Sequence, residues 1–150
     1  MVAISTQFII DASIIKVFDF FEDIDKVGRC ISGVKDVREI SPTDSEWRLE
    51  IRAGLFSQKM RLRAKVLKKN RPTSTSFKAE GQNIDISGLV SLTEKGDEKT
   101  SVIFRADIRP KGPLASLINL VTGSKQEQMI NESVMNIQKE MQALKRSENK

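Results

Sequence analysis

The chain contains no histidine and no tyrosine, and only one cysteine and one tryptophan among its 150 residues. Without imidazole, nothing titrates near neutral pH by default. Ser-His and Cys-His nucleophilic pairs are excluded, and the usual zinc clusters with them. Catalysis, if any, has to run on Asp, Glu, Lys, Cys or bound water. A lone thiol excludes an intrachain disulfide and suits a reducing cytoplasm. No apolar run approaches the ~20 residues that cross a bilayer. The opening "MVAISTQFII" lacks the basic region of a secretory signal, so the sequon-like Asn131-Glu132-Ser133 reads as a chance match.

What the chain does have is alternation. Val2, Ile4, Thr6, Phe8 and Ile10 share one parity, the period of a strand. Asp11 is then the expected N-cap of a short helix, "ASIIKVFDFFED", with Ile14, Ile15, Phe18 and Phe21 as its stripe. A second short helix is expected around Asp25 to Arg29, broken by Ser32-Gly33. From there to Pro110 apolar and polar residues alternate between turn clusters such as "SPTDS", "NRPTS" and "KGDEK", as in an antiparallel sheet with one covered face.

Helical spacing follows. Pro113 suits a first turn, with Leu114, Leu117, Ile118 and Val121 as the apolar face. Gly123 either ends that helix, with Ser124 to Glu127 capping a new one, or is tolerated inside a longer one at about 1 kcal/mol. Ile130, Val134, Ile137, Met141 and Leu144 then recur at spacings of four and three, an amphipathic helix roughly 30 Å long. The expectation is one domain over residues 1–146 with a frayed tail at 147–150. It is an α+β fold: a curved antiparallel sheet of about seven strands around a long C-terminal helix, with two short helices after the first strand.

That order, with particular residues, resembles the helix-grip fold of the START/polyketide-cyclase-like superfamily (SRPBCC). Within it the chain is most similar to the CoxG family, named for a subunit of carbon monoxide dehydrogenase. The match is carried by "DIDKVGRCISGV" at Asp23 to Val34, "EIRAG" ending at Gly54, the stretch with Gly81 and Gly88, and "KGPLASL". Ser32 departs from the family's usual proline, and the strand at residues 59–66 has no glycine. The resemblance implies a binding module that holds a lipid, quinone or other hydrophobic molecule between helix and sheet. It further implies an accessory or recruiting role for a molybdenum hydroxylase, hence a peripheral position at the inner face of the membrane. Neither a metal nor a cofactor is expected.

The expected cavity lining is Cys30, Ile31, Trp47, Leu49, Ile51, Met60, Leu62, Ile84, Ile86, Phe104, Leu117, Ile118, Val121, Ile130 and Val134. Cys30 falls at a helix C-terminus, where the dipole disfavours a thiolate, so it reads as part of a wall. Whether these side chains leave a void or fill it stays open. A second feature is the basic run Lys59, Arg61, Arg63, Lys65, Lys68, Lys69 and Arg71, which carries the whole excess charge of +5. It reads as a solvated face, or as a surface for an acidic partner, an oxidoreductase complex or anionic lipid. Nucleic acid is disfavoured because no aromatic residue interleaves with the charges. The alternatives are a non-catalytic module docking through this hairpin, and a cyclase- or hydrolase-like enzyme using Asp or Glu. Asp23 and Asp25 are expected to orient a turn, and Asp85 and Asp107 to face water.

Overall fold

A computed structural model describes residues 2–53, 56–111 and 123–148. In chain order the elements are β1 (Val2–Ile10), α1 (Ile14–Glu22), α2 (Ile24–Cys30), β2 (Val34–Glu39), β3 (Asp44–Ala53), β4 (Phe56–Asn70), β5 (Ser74–Gly81), β6 (Ile84–Gly96), β7 (Lys99–Pro110) and α3 (Gly123–Glu148). The strands form one seven-stranded antiparallel sheet in the order β1-β7-β6-β5-β4-β3-β2. Strands β2 to β7 pair as successive hairpins. The first strand pairs with the last, and α1 and α2 carry the chain from one edge to the other.

Register decides which side chains meet. Trp47 lies opposite Leu62, and Leu62 opposite Gly81; Ile86 lies opposite Ile108, and Ile108 opposite Val2. Because paired residues project to the same side, the apolar parity of every strand lands on one concave face. Bulges in β2 and in β4 after Val66 add local bends.

The helix starts differ from expectation. Ser13, not Asp11, caps α1, its hydroxyl accepting the Lys16 N–H at 3.4 Å. The reason is a tight turn: the Ala12 N–H returns to the Ile10 carbonyl, and the buried Thr100 hydroxyl donates to the Ala12 carbonyl at 2.8 Å. That draws Ala12 into the core and leaves Asp11 exposed. Asp23 caps α2 by accepting from the Lys26 N–H, and Gly33 (φ +92°) turns the chain into β2 in a conformation that disfavours a side chain. Gly123 and Ser124 are both already helical, so the box at Ser124 to Glu127 does not begin α3. The helix continues through Ser147 and Glu148, two of the residues expected to fray.

The sealed core sits at one end of the concave face. Val17, Phe18 and Phe20 of α1, Cys30 of α2, and Ile137 and Met141 of α3 close over Ile10, Val90, Leu92 and Val102. Each such side chain stabilises by about 1.5–3 kcal/mol on leaving water. Burial first, and then the nearby Glu140 carboxylate, push the Cys30 thiol pKa up, with Arg29 opposing. The folded state therefore holds that proton more tightly than the unfolded state does.

Polar contacts position the rest of α3. The Ser32 N–H donates to Ser133 Oγ at 2.9 Å and its hydroxyl to Glu132 at 3.0 Å, while Asn136 donates to the Cys30 carbonyl at 3.1 Å. Gln138 reaches the Ile9 carbonyl at 2.9 Å. Proline at position 32 could make neither Ser32 bond.

Two outcomes follow. Ser32→Pro should cost about 1–3 kcal/mol, by removing both donors of the clasp, although Ser133 keeps its bond to the Met129 carbonyl; urea unfolding with hydrogen exchange over residues 129–138 reads it, and unchanged exchange there rules the clasp out. For Cys30, alkylation of the native chain at pH 8 should run roughly tenfold or more slower than in denaturant. As pH rises above 9.0, the thiol's ordinary value, stability should fall through the raised folded pKa, and Cys30→Ala should lack that part of the slope.

Candidate ligand-binding face

The inward face divides into two zones. Next to α1 and α2 it is sealed, with Val102 at 0% and Phe18 at 1% exposure. Toward Val2, Ile86 and Met60 it carries large apolar side chains that stay half-buried. Of the residues expected there, Trp47, Leu49, Ile51, Met60, Leu62, Ile84, Ile86 and Phe104 all hold inward register positions on β3, β4, β6 and β7. Ile51 and Leu62 are buried and the other six half-buried. Ile130 and Val134 are half-buried on α3, two turns and one turn before the core residue Ile137. Cys30 lies in the sealed core with Ile31 packed beside it. Leu117, Ile118 and Val121 lie outside the described residues.

Sequence reasoning left out the lining contributed by β1 and β5. Val2, Ile4 and Thr6 face inward opposite Ile108, Ala106 and Phe104, and Phe77 lies opposite Gly88. The Phe77 and Phe104 rings stack at 6.2 Å with planes 20° apart. Gly88 makes room for them, since a Cβ there would lie 2.2 Å from the Phe77 ring. The signal was the alternation in β1. What was missing was any local mark that the first strand joins the last.

Polar groups on this face are few. The Trp47 indole N–H donates to Ser45 at 2.8 Å, which satisfies both. The half-buried Thr6 hydroxyl has no hydrogen-bond partner among the described residues.

The convex face is a grid of charges. Arg38 and Arg61 both approach Glu46, at 3.2 and 3.4 Å; Arg63 approaches Asp44 at 3.8 Å and Arg48 meets Asp36 at 2.7 Å. These arginines are exposed, so each pair is worth about 0–1 kcal/mol. Hydrogen bonds from Arg52 and Ser57 hold the Glu50 carboxyl below its ordinary pKa. The expected basic surface is therefore divided. Lys59, Lys65 and Lys68 have no ion-pair partner among the described residues, whereas Lys69 and Arg71 turn toward α1. Lys69 meets Glu22 at 3.1 Å; Arg71 bridges Asp19 (2.6 Å) and Glu22, with its guanidinium 5.2 Å above the Phe18 ring.

The acids take the following places. A cleft of about 500 Å3 beside α1, α2 and the end of β2 is lined by Asp19, Glu22, Asp23, Ile24, Asp25 and Glu39. Three of its carboxylates already cap a helix or pair with Lys69 and Arg71. Asp107 is exposed, as expected, but Asp85 is only partly so: at 31% side-chain exposure, its shielded Oδ1 lies 2.9 Å from Lys111 Nζ. The ladder of β6 and β7 continues one step further there, the Lys111 N–H donating to the Asn83 carbonyl, which brings the Lys111 side chain to the carboxylate. Among the described residues no helix is long and apolar enough to cross a membrane.

Solved structures share this architecture. A conserved protein of Geobacillus kaustophilus aligns with a TM-score of 0.78 at 19% identity, over 95% of this chain and 96% of that one. A START superfamily protein from Mycobacterium smegmatis gives 0.76 at 12% identity, over 95% and 98%. An aromatase/cyclase from Streptomyces sp. R1128 gives 0.60 at 10% identity, over 93% and 90%. At such identities the likeness establishes the fold, a helix-grip of the START type. No curated protein matches the chain. The family model for CoxG, a carbon monoxide dehydrogenase subunit, matches residues 7–142. With nearly its whole length covered by that match, the chain belongs to the carbon monoxide dehydrogenase CoxG family.

Proposed function

We propose that the chain binds a hydrophobic small molecule, a lipid, a quinone or a compound of similar character, between the inward face of its sheet and the N-terminal half of α3. The observation that carries this is the contrast within one face. Large apolar side chains at Ile4, Leu49, Met60, Ile86 and Phe104 stay half-buried, although the neighbouring zone is sealed. Covering about 200 Å2 of such surface would contribute roughly 5 kcal/mol. The ligand's own apolar area would add to that.

Family membership supports a setting for this activity. The chain serves as an accessory factor to an oxidoreductase of the carbon monoxide dehydrogenase type, delivering or shielding a hydrophobic molecule beside it. A sheet face that offers apolar area and few polar contacts suits holding better than bond-making.

Native mass spectrometry of protein extracted from cells should show a small-molecule adduct on the chain. The neutral dye Nile red should be taken up with a blue shift, and Ile86→Trp, which fills the half-buried zone, should weaken uptake about tenfold. Bare chain mass together with no dye uptake would falsify the proposal.

A further inference from the structure

The sheet has two edge strands, and they differ. At one edge β2 is six residues long, carries Lys35, Asp36, Arg38 and Glu39, and is bulged between Val34 and Asp36. Short length, charge and a bulge are what keep an edge strand from pairing with another chain. At the other edge β1 runs for nine residues, "VAISTQFII", in unbroken register with β7 and without a charged residue or a proline. It has none of those safeguards.

The hydrogen bonds of the sheet fix what this edge offers. The Lys111 N–H donates to the Asn83 carbonyl, so odd-numbered residues of β7 bond β6 and even-numbered ones bond β1. The partners of those even residues are Val2, Ile4, Thr6, Phe8 and Ile10. Ala3, Ser5, Gln7 and Ile9 therefore turn N–H and C=O toward the free edge. Gln138 of α3 confirms the phase, its side chain donating to the Ile9 carbonyl at 2.9 Å and closing that end. No described residue bonds the edge-facing backbone of Ala3, Ser5 or Gln7, and all three are exposed.

We infer that this edge is covered by β1 of a second copy of the chain, running antiparallel with Ser5 on the two-fold axis. Three free positions spaced two apart are symmetric about the middle one. Ser5 then exchanges a pair of hydrogen bonds with Ser5 of the second copy, while Ala3 and Gln7 do so with its Gln7 and Ala3. Every free N–H and C=O of the three residues is matched, on both copies. The axis stands perpendicular to the sheet, so like faces adjoin. Outward, Ser5 meets Ser5 and Ala3 meets Gln7, with no charge on either strand. Inward, Ile4 meets Thr6 of the second copy, which joins the two half-buried zones across the axis.

The net charge of +5 does not forbid this pairing. The basic strand β4 lies four strand spacings from β1, about 19 Å, more than twice the ~8 Å over which charge is felt at physiological ionic strength. The nearest outward charges, Arg105 and Asp107 on β7, are of opposite sign.

Sedimentation of the intact chain should show its mass rising toward that of a dimer between low-micromolar and near-millimolar concentration. Over the same range NMR amide exchange at Ser5 and Gln7 should slow at least tenfold, while Ile4 and Thr6, already bonded to β7, should not change. Ser5→Lys and Ser5→Glu place like charges together on the axis, so each alone should stay monomeric, with circular dichroism confirming the fold. An equal mixture of the two should dimerise again. A monomer whose Ser5 and Gln7 amides exchange fast overturns the assignment and leaves the edge to an extended segment of a different protein. A monomer in which they exchange slowly overturns it too, because the chain's own residues then cover the edge. A dimer indifferent to both substitutions forms through another surface and overturns it as well. Failure of the mixture to recover, with both single variants monomeric, overturns the axis at Ser5.

Discussion

Antiparallel pairing commits alternate side chains of seven strands to one side or the other, and the rest of the molecule depends on that commitment. A slip of one residue in any hairpin would bring a row of Arg, Lys and Glu inward and turn a row of Ile, Leu and Phe outward. The penalty for either is large, so register is fixed by the face and not by the turns alone. Two faces with different physics result: an inward one on which hydrogen bonding is scarce, and an outward one on which Glu46 neutralises Arg38 and Arg61, and Asp44 neutralises Arg63, across strands. The outer pairs add little stability. Their role is to keep a broad, mostly polar sheet face in water.

The helices use the inward face unequally. Apolar contact seals the end beneath α1, where Val17, Phe18 and Phe20 descend on Leu92 and Val102, and the C-terminal half of α3 joins them through Ile137 and Met141. The N-terminal half of α3 is held differently, by hydrogen bonds from the loop after α2 to Ser133 and Glu132 and from Asn136 back to Cys30. Hydrogen bonds at a rim hold a helix in place without filling the space beneath it. A helix can then lie over a sheet whose side chains stay partly uncovered. The tip of the β4–β5 hairpin is tied down in a similar way, Arg71 spanning Asp19 and Glu22 over the Phe18 ring.

The fold was largely legible in the sequence because its signals are periodic and local. A period of two marks each strand, a spacing of three and four marks α3, and the residue types at Asp23 and Gly33 fit the cap and the left-handed turn they form. The inward members of β3, β4, β6 and β7 followed from parity alone. The contribution of β1 did not, because its pairing with β7 joins residues about a hundred positions apart and leaves no mark on either strand. Phe77 was missed for a related reason: its importance comes from a glycine on the next strand and a ring on the one beyond.

Residue order and composition suffice to establish that the chain folds as a sheet gripping one long helix, that no imidazole chemistry is available, and that the excess positive charge is concentrated in one hairpin. Alternation and composition are one-dimensional properties, and these conclusions need nothing more. Three other features exist only in three dimensions: Lys69 and Arg71 leave that basic surface to clamp α1, Ser32 becomes part of a clasp on α3, and Thr6 faces inward unpartnered among the described residues. Each of those is a distance between segments remote in the chain, set by how a twisted sheet brings its edges and helices together.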